Sequence, residues 1–338
     1  MTLRLAPSGG SLRVNGAPGW LALLVACGSS GDGGAGGGGG VAAAHAIHAT
    51  MEAAATVTAP WRCALPPVAP AAPAAPGPAG WTRQPDRLVA EPARAKVTLA
   101  AVGQARGRAV DVREALRAAK VDVVLALGGM GADAAEIRAA LTALLDPAWL
   151  VVALPGDTEA WPEHAAAIAD LAAAGGAIVD GAAVRIVDAG AAVVGTLPGE
   201  PFATRLAAGA EGCVHDAADL GAALAALAAA AGDRPRVLAT PPAPQGGRSD
   251  LTPGGLHGGD PALASALAAA ELALVVHGPV DGSPPAPGSA RSGTPVALAA
   301  GSLDPVARRD ADGRAHATGI TLATVDARGV SWSFLPAP

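Results

Sequence analysis

The sequence predicts an α/β protein whose sheets are partly parallel and partly antiparallel. Short, nearly continuous apolar runs recur from Lys96 onward, as strands covered on both faces must. Ala-rich stretches with charges on one side separate these runs and are typical of helices. An apolar fraction of 51% with only 15% charged residues excludes a mostly disordered chain. We therefore expect one globular domain with segments appended at its N-terminus.

The N-terminus carries a short apolar run, WLALLVA, that follows Arg4 and Arg13 and ends at Cys27. This run is far below the roughly 20 residues that span a bilayer, so it indicates a signal-peptide core rather than a membrane helix. With Leu24-Val25-Ala26-Cys27 it resembles a bacterial lipoprotein signal; a chance cysteine after an apolar stretch is the alternative. The resemblance implies a signal peptide over residues 1–27, with a lipobox that ends at Cys27.

The resemblance also implies a location. Cys27 would carry acyl chains and make the membrane a partner of the chain through this anchor. Gly28, in place of an aspartate, resembles the pattern for the outer membrane. We therefore expect an outer-membrane lipoprotein of the bacterial cell envelope, with its domain facing the periplasm or the exterior.

Two segments separate this signal from the predicted domain. Residues 28–40, GSSGDGGAGGGGG, predict a flexible tether and not a phosphate loop, because no Lys-Ser/Thr ending and no preceding strand accompany them. Residues 41–95 predict an Ala/Pro-rich, partly disordered spacer, whose run over residues 66–78 favours polyproline II. The folded domain is expected over residues 96–338.

Two cysteines besides Cys27 bear on the compartment. Export would place the domain where disulfides persist, and Cys63 and Cys213 then allow one bridge. The sequence does not fix whether their Cα atoms come within reach, so a bridge and two free thiols both stay open.

The predicted strands and helices alternate along the domain. The strands are KVTLAAV (96–102), VDVVLAL (121–127), WLVVAL (149–154), RVLAT (236–240) and ELALVV (271–276). The helices are DVREALRAAK, ADAAEIRAALTALL, PEHAAAIADLAAA and DPALASALAAAE, the last with Asp260 as N-cap before Pro261. A hairpin is expected in AIVDGAAVRIVDAGAAVVGTL, and the C-terminal segments TPVALAAG and GITLATVDARGVSWSFL are expected to form closing strands.

Charge and composition exclude nucleic acid as a partner. The formal net charge is -6, there is no Lys/Arg cluster, Tyr is absent and Phe occurs only twice. Phosphate neutralisation needs basic stripes and base stacking needs aromatic rings. Ligands of an α/β protein are expected instead at the carboxyl ends of its parallel strands.

Five strand ends form a series. They read VGQARG (102–107), LGGMG (127–131), LPGDTE (154–159), ATPPAP (239–244) and VHGPVD (276–281). In order, spacing and flanking glycines the series resembles the calcineurin-like metallophosphoesterases over roughly residues 96–335. That family has Gly-Asp-x-His, Gly-Asp, Gly-Asn-His-Glu/Asp, His and Gly-His-x-His at these places. The resemblance implies a four-layer sandwich, in which two mixed β-sheets are flanked by helices.

The resemblance does not extend to the ligands of the family's metal pair. Two cations about 4 Å apart need a bridging carboxylate and several imidazole or carboxylate ligands. The residues at the former ligand positions are Gln104, Arg106, Gly129, Asp157, Thr158, Pro241, Pro279 and Asp281. Only the two aspartates among them could coordinate a cation. We therefore expect no metal, no cofactor and no catalytic residue.

Other candidate residues have more than one interpretation. Arg106 is expected to form an ion pair with Asp157 or Asp281, or else to hold an anionic ligand. Asp157 is also expected to cap a helix beginning near Glu159. His277 is interpreted as a histidine at a strand end and His257 as a solvated loop residue.

Two functions from different classes follow. The first is a lipid-anchored binding or scaffold protein that has lost catalysis, a pseudoenzyme whose partner is an unknown protein or an anionic small molecule. The alternative is a metal-dependent phosphoric ester hydrolase with a rebuilt, oxygen-rich site for Mg²⁺ or Ca²⁺ at Asp157, Glu159 and Asp281. Metal content and metal-dependent turnover would separate the two.

Overall fold

Residues Thr58–Pro338 form one compact unit. Within this unit the computed structural model describes residues 59–63, 80–84, 86–252, 255–280, 287–288, 296–304, 308–309 and 315–337. The signal peptide with Cys27, the tether over residues 28–40 and the site position Asp281 lie outside the described residues. None of the helices in the described part of the chain has the length and apolar content needed to cross a bilayer.

Among the described residues, the first sheet holds seven strands in the order β17-β16-β3-β4-β5-β6, with β13 beside β3. Strands β3 to β6 are parallel, whereas β16 runs antiparallel to both of its neighbours. Every residue of β4 and β5 is buried, which explains why both strands are apolar throughout. The strands of this sheet are β3 (Lys96–Gly103), β4 (Val123–Leu127), β5 (Leu150–Leu154), β6 (Ile178–Asp180), β13 (Gly301–Ser302), β16 (Gly319–Asp326) and β17 (Gly329–Pro336).

In the part of the chain that the structure describes, the second sheet holds eight strands in the order β1-β2-β7-β8-β9-β10-β12-β11. It is mixed too: β8, β9, β10 and β12 are parallel, and β7 and β8 form the predicted antiparallel hairpin. Its strands are β1 (Trp81–Arg83), β2 (Leu88–Arg94), β7 (Ile186–Gly190), β8 (Val193–Thr196), β9 (Arg236–Thr240), β10 (Leu274–His277), β11 (Pro287–Gly288) and β12 (Val296–Ala299). A separate pair joins β14 (Arg308–Arg309) to β15 (Ala315–His316).

Helices cover the outer face of each sheet. They are α1 (Arg113–Ala118), α2 (Ala134–Thr142), α3 (Trp161–Ala173), α4 (Ala217–Ala231) and α5 (Pro261–Ala269). Apolar side chains of α1 to α3 pack with the first sheet, and those of α4 and α5 pack with the second. A third apolar cluster joins the two sheets to each other. The predicted α/β sandwich with two mixed sheets flanked by helices is confirmed.

The folded part begins earlier than the expected boundary at Lys96. Strands β1 and β2 lie before it, and β2 joins the second sheet beside β7. The sulfur atoms of Cys63 and Cys213 are bonded at 2.11 Å, with their Cα atoms 5.6 Å apart. The spacer over residues 41–95 therefore contains an anchored segment and two strands. Its described residues contribute buried apolar side chains, such as Trp81 and Leu88, that its Ala/Pro-rich composition obscures.

Candidate functional site

The five predicted strand ends meet at one cavity. It has a volume of about 540 Å³ and lies at the carboxyl ends of β3, β4, β5, β9 and β10. The lining includes every former ligand position that the structure describes: Gln104, Arg106, Gly129, Asp157, Thr158, Pro241 and Pro279. Parallel strands carry their carboxyl ends to the same edge of a sheet, which is why positions so distant in sequence meet here.

The loops around the cavity pack backbone to backbone. A Cβ atom at Gly103 would lie 2.5 Å from Pro279 Cδ, and one at Gly128 would lie 2.9 Å from the Cα of Gly156. The Gln104 side chain joins the same loops, because its Nε2 donates a hydrogen bond to the Pro279 carbonyl oxygen at 3.1 Å. Glycine and proline at these strand ends therefore allow the loops to pack closely against one another.

Gly129 stands where the family resemblance has a bridging aspartate. Its φ of +71° lies in the left-handed region, which glycine adopts far more easily than other residues. A Cβ atom at this position would lie 2.8 Å from the Cα and 2.9 Å from the backbone N of Gln104. The backbone arrangement therefore excludes any side chain at the position that a metal pair needs most.

The remaining donors do not assemble a metal site. Among the residues that the structure describes, no three His, Cys, Asp or Glu side chains come together to hold an ion. Pro241 and Pro279 supply no ligand atom, and Thr158 offers only a hydroxyl group. The described residues do not fit a pair of catalytic cations.

Arg106 forms an ion pair with Asp304, a residue that the sequence did not indicate. Its Nε lies 3.1 Å from Oδ2 of Asp304, whose side chain is 2% exposed. Among the described side chains no ion pair within 4.0 Å joins Arg106 to Asp157, although the Arg106 charge partly offsets the effect of burial on the Asp157 pKa. Asp281, the other expected partner, lies outside the described residues, so the pairing with one of these two aspartates stays a prediction. Asp304 comes shortly after β13, which pairs with the end of β3, and this non-local pairing carries it to the site.

Glu159 holds two of the loops together. Its Oε1 accepts a hydrogen bond from the Met130 N–H at 2.5 Å, and its Oε2 accepts one from the Gly156 N–H at 2.9 Å. Burial raises the pKa of this carboxyl to about 7. Glu159 is fully buried and does not line the cavity, so its carboxylate joins the loops after β4 and β5 instead of facing a ligand.

Asp157 faces the cavity and is not a helix cap. Helix α3 begins two residues later than predicted, at Trp161, with Ala160 at the N-cap position and Pro162 in its first turn. Burial raises the pKa of the Asp157 carboxyl. The expected cap is therefore wrong, whereas the cap of α5 is confirmed: Asp260 accepts a hydrogen bond from the Ala262 N–H.

The two histidines singled out from the sequence have structural partners. His277 ends β10, is fully buried, and has Nδ1 2.8 Å from the Gly278 carbonyl oxygen; burial lowers its pKa to about 4. His257 lies in its loop with Nδ1 2.9 Å from the buried Asp250 carboxylate. The His257 side chain is about half exposed, as expected of a solvated loop residue, but the sequence did not indicate its contact with Asp250.

Sequence reasoning missed several residues of the lining. Glu136, Glu200 and Arg205 all border the cavity. Glu200 follows Pro198-Gly199 in a loop with no apolar periodicity, so only its proximity to β8 could have indicated it. The sequence analysis selected candidates only at the ends of predicted strands. These three residues were missed because they border the cavity from a helix and from a connecting loop.

The fold and cavity define an α/β sandwich of two mixed sheets with its candidate site at the strand ends. No protein-family model matches the sequence, and a search of curated proteins gives no match. Solved structures are similar in fold. One has a TM-score of 0.53 and 11% sequence identity, covering 72% of this chain and all of its own.

Two further solved structures resemble the chain at lower scores. The protein TT1561 of Thermus thermophilus has a TM-score of 0.47 and 15% identity, covering 70% of this chain and 98% of its own. A dimetal phosphatase from Danio rerio has a TM-score of 0.45 and 12% identity, covering 72% of this chain and 99% of its own. At such identities the likeness concerns the fold alone.

Proposed function

We propose that this chain is a lipid-anchored protein of the metallophosphoesterase fold that has lost catalysis and acts as a binding or scaffold protein. The observation that carries the proposal is Gly129. At the place of the bridging carboxylate there is no side chain, and the neighbouring backbone of Gln104 leaves no room for one.

The rest of the cavity supports the same conclusion. Two-metal catalysis clamps the attacking and leaving oxygens between cations, so the loss of the bridging ligand removes both the clamp and the activated water. Pro241 and Pro279 replace two imidazole positions with side chains that cannot bind a metal. The cavity itself is retained, at about 540 Å³, which is a size that suits a small ligand.

The alternative, a hydrolase with Mg²⁺ or Ca²⁺ at Asp157, Glu159 and Asp281, has less support. Both Glu159 oxygens already accept backbone hydrogen bonds, and the residue lies behind the cavity lining. A cation there would have to displace those two hydrogen bonds. We therefore favour the non-catalytic function.

Metal content and turnover test the proposal. The full chain, purified in detergent, is assayed for bound metal and for hydrolysis of a generic phosphodiester with added Mn²⁺ or Mg²⁺. We expect substoichiometric metal and no metal-dependent turnover. Stoichiometric metal together with turnover that Asp157→Asn abolishes would establish the hydrolase instead.

The proposed location is the periplasmic or exterior side of the outer membrane, with Cys27 as the acylated residue. The bridge between Cys63 and Cys213 suits an oxidising compartment. We expect Cys27→Ala to lose acylation and to leave the membrane fraction. Gly28→Asp is the matched control, expected to stay acylated but to remain in the inner membrane; membrane association of Cys27→Ala equal to wild type would contradict the anchor.

A further inference from the structure

The Glu200 carboxyl group is buried on the cavity wall and has no protein partner among the described residues. Glu200 is 9% exposed and borders the cavity. Its backbone is fully engaged, since its N–H donates to the Cys213 carbonyl oxygen and its own carbonyl accepts from the His215 N–H. Within the same ranges, no hydrogen bond or ion pair reaches its side-chain oxygens. A carboxyl group that opens onto a cavity, with no donor of the described chain against it, points to a ligand that donates to it.

The nearest cation does not fill this role. Arg205 also borders the cavity, but its Nη1 donates to the Gly258 carbonyl oxygen at 2.5 Å and its guanidinium lies over the Phe202 ring at 4.6 Å. It forms no ion pair with Glu200. Arg106, the other cation of the lining, pairs with Asp304. The two guanidinium groups thus have contacts of their own and do not neutralise Glu200 at close range.

The field around Glu200 is negative. Burial is the main reason that its pKa is raised to about 8, and the neighbouring carboxylates of Asp157, Asp260 and Glu159 raise it further. Arg205 opposes this effect only in part. A cation entering the cavity would be attracted by several carboxylates, whereas an anion would meet the same groups as repulsion.

The shape and lining favour an organic cation over a metal ion. No three ligating side chains converge within the described ranges, and the lining includes the apolar side chains of Leu127, Pro242 and Val280. Two exposed apolar residues, Phe202 and Leu256, belong to the loops that supply Arg205 and Gly258 to the lining. A ligand with an apolar body and one positively charged head would contact the apolar side chains of the lining with its body and Glu200 with its head.

We propose that the cavity binds a small organic cation, an ammonium or guanidinium head on an apolar body, with the Glu200 carboxylate as its counter-ion. This inference rests on the proposed non-catalytic function and names the ligand class of the retained site. It differs from the anionic ligand that Arg106 suggested from the sequence.

Calorimetric titration of the full chain in detergent at pH 8 tests the proposal, with benzylammonium as the probe. Benzyl alcohol is the neutral analogue, and inorganic phosphate and Mg²⁺ are the competing ligand classes. Glu200→Gln removes the counter-ion with almost no change of shape. Glu114→Gln, on the exposed face of α1, is the matched control for the loss of one negative charge.

We expect benzylammonium to bind the wild type and the Glu114→Gln variant within about twofold of each other. Glu200→Gln should lose about tenfold or more of the affinity, and benzyl alcohol should bind the wild type at least tenfold more weakly. No binding of benzylammonium, or binding that Glu200→Gln leaves unchanged, would overturn the inference. Phosphate binding that Arg106→Gln abolishes, or Mg²⁺ binding that depends on Glu200, would overturn it in favour of another ligand class.

Turnover measured on the same samples keeps the two proposals apart. Metal-dependent hydrolysis would refute the loss of catalysis, whatever benzylammonium does. A missing benzylammonium signal without hydrolysis would remove the cation site alone. Urea unfolding of Glu200→Gln at pH 5 establishes that this variant is folded, so that lost binding is not mistaken for lost structure.

Discussion

The space around Gly129 allows a quantitative test of the lost metal site. We consider Gly129→Ala, which adds one Cβ atom 2.8 Å from Gln104 Cα and 2.9 Å from its backbone N. Both neighbouring atoms are backbone, so the contact cannot be relieved by turning a side chain. The residue must also keep a φ of +71°.

The expected loss of stability has two parts. A left-handed conformation costs a residue with a Cβ atom about 1–2 kcal/mol relative to glycine. An overlapping methyl group in a well-packed region typically costs a further amount of about 1–3 kcal/mol. We therefore expect Gly129→Ala to lower the free energy of unfolding by about 2–5 kcal/mol, the sum of the two parts.

Gly175→Ala is the matched control. Gly175 also has a positive φ, +86°, but a Cβ atom there would meet nothing within 4 Å. This variant should lose only the conformational part, about 1–2 kcal/mol. Urea unfolding of both variants, followed by circular dichroism, measures the difference. Equal losses at the two positions would show that residue 129 has room for a side chain and would refute the steric argument.

Gly129→Asp tests whether a carboxyl group at this position can restore metal binding. This single change would place a carboxyl group at the bridging position of the family, but it adds more atoms to the same overlap. We expect it to be at least as unstable as Gly129→Ala and to bind no Mn²⁺. A folded Gly129→Asp variant that binds Mn²⁺ stoichiometrically would disprove the view that the backbone excludes the site.

Three further predictions concern charge and covalent structure. The folded-state pKa of Glu200, about 8, lies above the unfolded value of 4.5, so its stabilising contribution is complete below pH 4.5 and is lost as the pH rises through 8. The unfolding free energy of Glu200→Gln should therefore equal that of the wild type at pH 4 and exceed it by up to about 5 kcal/mol at pH 9. Equal unfolding free energies of the two proteins at every pH would contradict this. Replacing Cys63 and Cys213 together with serine should cost about 2–5 kcal/mol, measured as a lower midpoint in urea, and dithiothreitol should have no further effect on that variant. A double-mutant cycle of Arg106→Gln and Asp304→Asn should give a coupling energy of about 1–2 kcal/mol. This energy is modest because the Arg106 side chain is half exposed and solvent screens its charge. A coupling energy near zero would show that the ion pair does not stabilise the fold.

The strands were largely predictable because each buried run is short and bounded. The prediction for β9 matches the observed Arg236–Thr240, and those for β3 and β5 differ from the structure by one residue. Strands β1 and β2 were missed, because a polar and proline-containing sequence around them hides their few inward-facing residues. Alternation over three to seven residues is too weak a signal when it follows a spacer of similar composition.

The site was predictable only where it follows a strand. Gln104, Gly129 and Pro279 each closely follow a predicted parallel strand. The carboxyl ends of parallel strands lie at the same edge of a sheet, so these residues could be predicted to lie close together. Asp304 could not be assigned to Arg106, since the pairing of β13 with β3 joins segments that no local pattern links. Glu200 was equally hidden, because its importance depends on burial and on a missing partner within the described chain, which are properties of the folded state.

The bridge between Cys63 and Cys213 has a mechanical consequence if the protein is anchored as proposed. Cys63 precedes β1 in the chain, so a pull from the N-terminus reaches the segment around Cys213, through Trp61 and the bridge, before it reaches the edge of the second sheet. The Cys213 carbonyl oxygen accepts the Glu200 N–H at 2.9 Å, which places this force-bearing point directly behind the cavity wall. A pulling force from the N-terminal side would thus act first beside the cavity, and strands β1 and β2 would be protected from it.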